Sequence, residues 1–409
     1  MVAAPSSPRR FLLASVLKPV DDTRMRGKFA QTLLAEPLTE VHIAGRSTGA
    51  DLPQSLTQDS PRLYHHHLFG GSRLSLNRLA AQGRYWRLLR GLRPDLVIVH
   101  APELLPLTLL WQALGRGRQF AYDIRENYAL NVGTQRVYSG FTKRLLAAGL
   151  RWVEGAAARR AAAVFLAEAS YANELPFLKK LPPERVLLLE NKYQSAPGEV
   201  LPTTSCPMPA ATAPLRLLFS GTISELNGVR EAIALAQALP QHWPAGVELT
   251  IMGFCQQPAL LAELRRLAQQ LSAPPLRLTL IAGAEPVPHS RIVAEIGQSH
   301  FGLLAYRPHP STARCRPTKL FEYLAHGLPV LVSDNPLWTS IVQAHGAGLA
   351  INFGEAPRAA ATVATALSTA VFYPAGIPAD EVLWASEGKK LGHMLKTLGP
   401  GPTFAAPFA

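Results

Sequence analysis

The chain predicts an α/β protein made of two doubly wound domains, and three observations predict it. Its 409 residues suffice for two domains of ordinary size. Short apolar runs that read as buried strands alternate with longer stretches of helical periodicity. Residues 195–214, rich in Pro, Ser, Thr and Ala and without periodicity, divide that pattern in two as a linker.

Bulk properties narrow the class. Apolar residues make up 48% and charged residues 17% of the chain, the balance of a globular protein with a substantial core. Three cysteines, Cys206, Cys255 and Cys315, are too few and too scattered for a disulfide framework or a zinc site, which fits a reducing compartment. The net charge of +13 directs the chain toward nucleic acid, membrane lipid or phosphorylated substrates. No uninterrupted apolar run reaches about 18 residues, so no segment is expected to span a bilayer. Arg9-Arg10 before an apolar run superficially resembles a signal peptide. That run stops at Lys18-Pro19 without a small-x-small cleavage site, and a first buried strand is the better reading.

In the first half, residues 11–16 read as strand one, a polar loop follows, a helix runs from about 29 to 34, and residues 40–45 form strand two. Ligands of a doubly wound sheet gather at the carboxyl ends of its strands, where Asp22, Arg24 and Lys28 lie. A polar turn with a capping Asp accounts for the same residues. His65-His66-His67 invites a metal reading, but neighbours in an extended segment point to opposite faces and converge poorly on one ion, so no metal site is expected. Arg84, Arg87, Arg90 and Arg93 recur at intervals of three, a basic helical stripe beside Trp86, Leu88 and Leu89. A second helix over 142–163 carries Lys143, Arg144, Arg151, Arg159 and Arg160. Both faces fit a solvated surface, and peripheral contact with an anionic membrane is the sharper reading. Nucleic acid is not expected as a partner, because the basic residues lack interleaved aromatics.

Residues 96–100 form a buried strand with His100 and Glu103 at its C-terminal end, and a helix follows at about 104–114. Residues 120–124 form another strand, ending at Arg125, Glu126, Asn127 and Tyr128. Polar residues at the ends of successive parallel strands converge on one cleft. Strands at 163–167, with Ser170 able to cap the next helix, and at 186–190 complete this half.

The second half opens with a strand from 215, then Gly221, then a helix at 228–239. A glycine there lets backbone approach a phosphate closely, although a glycine after a strand is commonplace. Strands at 249–253 and 278–283 flank a helix near 259–271, and 300–306 is the next strand. The chain is organised around residues 314–334, R-C-R-P-T-K-L-F-E-Y-L-A-H-G-L-P-V-L-V-S-D. Pro317 suits the first turn of a helix, Leu320, Phe321 and Leu324 recur at helical spacing, Gly327 holds the C-cap position, and Val330-Leu331-Val332 reads as a buried strand. Arg316 and Lys319 therefore sit beside a helix N-terminus, a ready anion site, with Glu322 one turn further on. A carboxylate so close to an anion site suits a hydroxyl, as on a ribose; an exposed first turn with a Lys–Glu pair fits the same spacing.

The segment P-T-K-L-F-E-Y-L-A-H-G-L-P-V-L-V-S-D resembles the nucleotide-sugar signature of GT-B glycosyltransferases of the retaining group 1, family 4-like type. V-I-V-H-A-P-E-L-L-P-L and Y-D-I-R-E-N-Y are similar to the N-terminal acceptor domain of the same family. The likeness is strongest over 215–334 and thin before residue 95. It implies a GT-B fold of two Rossmann-like domains facing an inter-domain cleft. Residues 1–198 would bind acceptor, 199–372 nucleotide sugar, and 373–409 would cross back as a final helix with a mobile tail from Gly399. It further implies a glycosyltransferase that moves a sugar from a nucleotide-diphosphate-sugar donor to a sugar or lipid-linked sugar acceptor in cell-surface polysaccharide or glycolipid synthesis. Retention, no metal and no cofactor besides the donor substrate are expected. So is a cytoplasmic location, with the inner face of the membrane as the peripheral alternative.

By the same resemblance Glu322 holds the donor ribose, and Lys319, Arg316 and His100 join it as the catalytic group. Gly221, Thr222, Gly283, Arg307, Arg314, Thr318 and Leu320 line the donor site, with the loop 282–288 holding the base through backbone groups. Asp22, Arg24, Asp123, Arg125 and Glu126 face the acceptor. The chain departs from the family pattern at several points. Thr222 and Asn227 stand where members usually carry an Arg and a Lys, and Arg314 replaces the first glutamate of the usual pair. Arg125 replaces a His common in relatives, and Arg cannot act as a base at neutral pH. Arg307, Arg314, Arg316 and Lys319 are expected to replace the absent cations on the diphosphate, and Arg125 to bind an anionic acceptor or a donor phosphate. The same losses motivate the rival reading, a catalytically inactive GT-B-fold binding or scaffold protein.

Overall fold

The computed structural model describes residues 8–47, 60–70, 77–130, 140–310 and 312–398. The tail from Gly399 and the side chain of Lys143 lie outside the described residues. The chain forms two compact units, one of Met1–Gln194 with Trp384–Ala409 and one of Ser195–Leu383.

Among the described residues the first unit holds a parallel sheet in the order β3-β2-β1-β4-β5-β6-β7. Its strands are β1 (Arg9–Pro19), β2 (Thr39–Arg46), β3 (Leu63–Phe69), β4 (Leu96–Val99), β5 (Gln119–Ile124), β6 (Ala163–Leu166) and β7 (Val186–Leu188). The near-continuous apolar run of β1 follows from covering on both faces. Leu12, Ala14 and Val16 enter one core, Phe11 and Leu13 the other. Helices Asn77–Leu92, Leu105–Ala113 and Gly140–Arg160 cover the first face through Tyr85, Trp111 and Ala157. The second face is covered by the helical stretch that begins at Thr23, wound as a π-helix to Ala30 and as an α-helix over Gln31–Leu34, and by Trp384–Thr397. That last helix belongs to the first unit for identifiable reasons. Trp384 N–H bonds the Tyr193 carbonyl at 2.6 Å, its indole donates to Thr32 Oγ1 at 2.9 Å, and Lys192 pairs with the buried Glu387 at 2.8 Å.

The second unit repeats the plan in the order β10-β11-β9-β8-β12-β13-β14. Here β8 is Leu215–Thr222, β9 Val247–Phe254, β10 Ser272–Ala273, β11 Leu276–Gly283, β12 Phe301–Leu304, β13 Val330–Ser333 and β14 Gly348–Ile351. All pairings are parallel except that of β10 with β11. Helix His289–Ile296 and strand β14 were not expected from the sequence. Residues 195–214 are fastened to this unit rather than hanging between the two. Cys206 N–H bonds the Gly327 carbonyl at 2.9 Å, and the Trp243 indole donates to the Ala213 carbonyl at 2.9 Å. Ser170 precedes its short helix but makes no side-chain capping bond.

The histidine run lies on β3, an edge strand. His66 faces His42 of β2 with 3.0 Å between Nε2 and Nδ1, and Tyr64 stacks on His42 at 4.6 Å. Burial and His66 push the His42 pKa down to about 4, so that ring is neutral at physiological pH. Among the described residues no group of three or more His, Cys, Asp or Glu could hold a metal ion, and no helix is long and apolar enough to cross a membrane.

Candidate functional site

In the second unit the strand order reverses between β8 and β12, and in open α/β sheets the crevice at such a point collects ligands. Two loops meet there, one after β8 and one after β12. The first is tightly built: Gly228 at φ +80° packs so closely that a Cβ would meet the Ala305 carbonyl, which only glycine permits. The second leads into the helix Thr318–Ala325, which Pro317 precedes and Gly327, at φ +63°, follows. The helix is fixed to β8 by Tyr323, whose hydroxyl lies 2.8 Å from Ser220 Oγ and 3.1 Å from Ser220 N.

This seating puts Lys319 at the end of β8. Its ammonium donates to the Ser220 carbonyl at 3.2 Å, one residue before Gly221 at φ +90°, and lies over the rings of Phe219 (4.6 Å) and Tyr306 (4.9 Å). Burial disfavours the charged form and brings the Lys319 pKa down to about 8, with Glu322 opposing. Glu322 is 12% exposed and accepts from His289 Nε2 at 2.5 Å. That bond raises the His289 pKa, against partial burial. His326, held by the Glu322 carbonyl (2.8 Å) and Glu199 (2.9 Å), braces the same turn.

Several expected donor-site residues stand differently. Leu320 does not reach the site: its side chain is fully buried in the core and its N–H closes on the Pro317 carbonyl at 2.9 Å. The open backbone donors of the first turn are therefore those of Thr318 and Lys319. Arg307 is engaged by acids, its Nε donating to Glu231 at 2.6 Å with Glu225 at 3.9 Å. The guanidinium expected to neutralise a diphosphate thus already has two carboxylates beside it. Arg314 and Thr318 are exposed and Arg316 is half-buried. Asn227 turns its amide onto the Thr222 carbonyl at 2.8 Å, closing the loop on itself where relatives carry a cation. Gly283 ends β11, its carbonyl accepting from Cys255 N–H at 2.9 Å.

The first unit reverses order between β1 and β4, and the polar residues expected there do meet. They meet mostly below the surface. Arg24, 1% exposed, grips Asp123 with Nε to Oδ2 at 2.8 Å and NH2 to Oδ1 at 2.6 Å, while NH1 donates to the Leu189 carbonyl and to Asn191, both at 2.9 Å. His100 Nδ1 lies 2.7 Å from Asp123 Oδ2. Arg24 and His100 hold the Asp123 carboxyl far below its usual range despite burial, and burial lowers the His100 pKa. With Asp123 ionised and His100 neutral, the imidazole proton sits on Nδ1, leaving Nε2 a buried acceptor with no partner. Arg24, Asp123 and His100 therefore form a structural network rather than a surface for acceptor or a base in solvent contact. Asp22 and Arg125, nearer the surface, pair bidentately at 2.8 and 3.0 Å, and Asp22 also caps the N–H groups of Arg24 and Met25. Glu126 is half-buried beside Lys18 at 3.2 Å. Of the expected acceptor residues, Asp22, Arg125 and Glu126 remain within reach of a ligand.

Residues 32–192 match the glycosyl transferase 4-like domain. The glycosyl transferase 4-like segment thus spans β2 to β7 and the His100–Asp123 network. No curated protein sequence matches the chain. Among solved structures, sucrose-phosphate synthase from Thermosynechococcus elongatus superposes with a TM-score of 0.64 at 14% identity, covering 95% of this chain and 99% of that one. Anabaena HepE in complex with UDP and glucose gives 0.59 at 13% identity, covering 95% and 100%. The lipopolysaccharide outer core galactosyltransferase WaaB gives 0.59 at 12%, covering 95% and 99%. At such identities the likeness shows the fold, which is GT-B. His289 is the functional candidate that the sequence reading missed; its position directly after the loop 282–288, expected to hold the base, was the available signal.

Proposed function

We propose that the protein is a glycosyltransferase that uses a nucleotide-diphosphate-sugar donor, bound by its second unit, and a sugar or lipid-linked sugar acceptor, bound by its first. The observation that carries this reading is the placement of Lys319 and Glu322 one turn apart at the start of the Thr318–Ala325 helix, with the Lys319 ammonium at the end of β8 beside Gly221. The diphosphate would take the free N–H groups of Thr318 and Lys319, the ammonium of Lys319, and the guanidinium groups of Arg316 and Arg314. These fixed positive charges stabilise the departing nucleoside diphosphate, which is where charge develops as the glycosidic bond breaks. Glu322 would accept from ribose hydroxyls while His289 holds its Oε1. No side chain is assigned as nucleophile. Retention would follow from a donor phosphate oxygen taking the acceptor proton, with no metal and no further cofactor. The glycosyl transferase 4-like segment supports this reading, as do structural neighbours whose names carry UDP, glucose and galactosyl transfer. A role in polysaccharide or glycolipid synthesis at the inner face of an anionic membrane fits the net charge of +13.

One observation favours a second reading, a nucleotide-binding or scaffold protein without turnover. The loop after β8 carries no cation and closes on itself through Asn227 and Thr222, and in the loop after β12 Arg307 is held by Glu231 and Glu225. Thermal unfolding with a panel of UDP-, GDP-, ADP- and dTDP-sugars tests the first step. A donor at 100 times its Kd stabilises the folded state by about 2.7 kcal/mol. One donor should raise the melting temperature of wild type and shift Glu322→Ala clearly less. Release of free nucleoside diphosphate from that donor then separates the readings: turnover supports the transferase, and binding without it the scaffold.

A further inference from the structure

The outer surface of the three helices on one side of the first sheet has a distinctive charge and apolar pattern. Helices Asn77–Leu92, Leu105–Ala113 and Gly140–Arg160 pack on one core, and the first two are joined by Tyr85 Oη and Thr108 Oγ1 at 2.8 Å. Their combined sequence holds one acidic residue, Glu154. It is buried and accepts from the Tyr122 hydroxyl at 2.7 Å, so no carboxylate of these helices reaches solvent. Exposed arginines abound by contrast. Arg87, Arg90, Arg144 and Arg159 form no ion pair among the described residues.

Large apolar side chains share this surface. Trp152 is 72% exposed, Leu145 63% and Leu114 61%. Scattered exposed apolar residues are ordinary, but six of the eleven large ones in the described chain lie on these helices or the turn after the second. Leu145, Trp152 and Arg159 recur at seven-residue spacing and so form one stripe, with Arg144 at its edge. An apolar stripe bordered by unpaired cations and free of acids complements a surface with anionic heads over an apolar interior. Single-stranded nucleic acid would use the cations and stack on Trp152, but the leucines would offer its bases little.

We infer that this surface docks the protein on an anionic lipid bilayer, with Trp152 and Leu145 entering the boundary between headgroups and acyl chains and Arg144 and Arg159 meeting lipid phosphates. The inference rests on the anionic membrane of the proposed function, for which it assigns the docking surface, and it uses nothing of the donor site.

Flotation of the full chain with vesicles of phosphatidylcholine, with and without phosphatidylglycerol, tests it. Wild type should float only with the phosphatidylglycerol vesicles. Arg144→Glu/Arg159→Glu should weaken that binding at least about 30-fold, since two basic residues at the lipid surface are worth about that factor. Trp152→Ser/Leu145→Ser should weaken it comparably, while the charge-matched Arg265→Glu/Arg266→Glu on the second unit should leave it unchanged. Absence of vesicle binding by wild type would overturn the inference, as would equal loss in the Arg265/Arg266 variant. Displacement from vesicles by a single-stranded oligonucleotide, with oligonucleotide binding that the Trp152/Leu145 variant loses, would assign the surface to nucleic acid instead. A wild-type melting temperature and a wild-type response to nucleotide sugars in each variant show that it is folded and keep failure of the donor reading distinct.

Discussion

Asp123→Ala should cost the first unit about 3–5 kcal/mol, because it leaves the Arg24 guanidinium, 1% exposed, without its bidentate partner. His100 loses its acceptor at the same stroke. The pair itself need not be worth that much, since burying two charges costs nearly what their attraction returns; the penalty is that of one charge left alone. Asp123→Asn, which keeps the shape and part of the hydrogen bonding, should cost less. The pH dependence has a definite sign. The Asp123 carboxyl is held below its ordinary value in the folded chain, so its contribution is fully present above the unfolded value of about 3.9 and is lost as pH falls below it. Urea unfolding of wild type and both variants between neutral and acid pH measures this. A loss under about 1 kcal/mol for Asp123→Ala would mean the network is dispensable.

Lys319→Met should weaken nucleoside diphosphate binding about 10–100-fold, the value of a charge-assisted hydrogen bond lost. Folding should not suffer, since methionine suits a cage of Phe219 and Tyr306. The lysine pKa of about 8 adds two signatures. Between about 8 and 10.4 the unfolded chain binds a proton that the folded chain has released, so this group makes stability rise with pH across that window. Diphosphate affinity should move the other way, falling by up to about tenfold per pH unit above about 8 as the ammonium is lost. Titration calorimetry between pH 7 and 9.5 reads the second effect. A flat profile in wild type would remove Lys319 from the phosphate site.

The strand pattern of both units was legible in the sequence because the sheets, parallel except for the β10 edge, are covered on two faces. Apolar runs such as Leu96–Val99 and Val330–Ser333 have few alternatives to a buried strand. The turn of helix carrying Lys319 and Glu322 was legible for a similar reason, being bracketed by Pro317 and Gly327. Partnerships across the fold were not. Arg307 reads as a free cation until the fold brings Glu231, 76 residues away, to 2.6 Å. Arg24 and Asp123 read as surface residues at strand ends because local patterning carries no sign that a charged pair 99 residues apart will be enclosed. His289 carried only the signal of its place after the loop 282–288, because its partner, Glu322, lies 33 residues away on another helix.

Whether Glu322 holds a donor ribose is decided by calorimetry of one double comparison. The preferred nucleoside diphosphate and its 2′,3′-dideoxy analogue are titrated into wild type and into Glu322→Ala. Removing the ribose hydroxyls should cost wild type about 10–100-fold in affinity, as expected for hydrogen bonds to a charged group, and should cost the variant almost nothing. An equal loss in both proteins would show that the hydroxyls are read elsewhere and that Glu322 is not their partner.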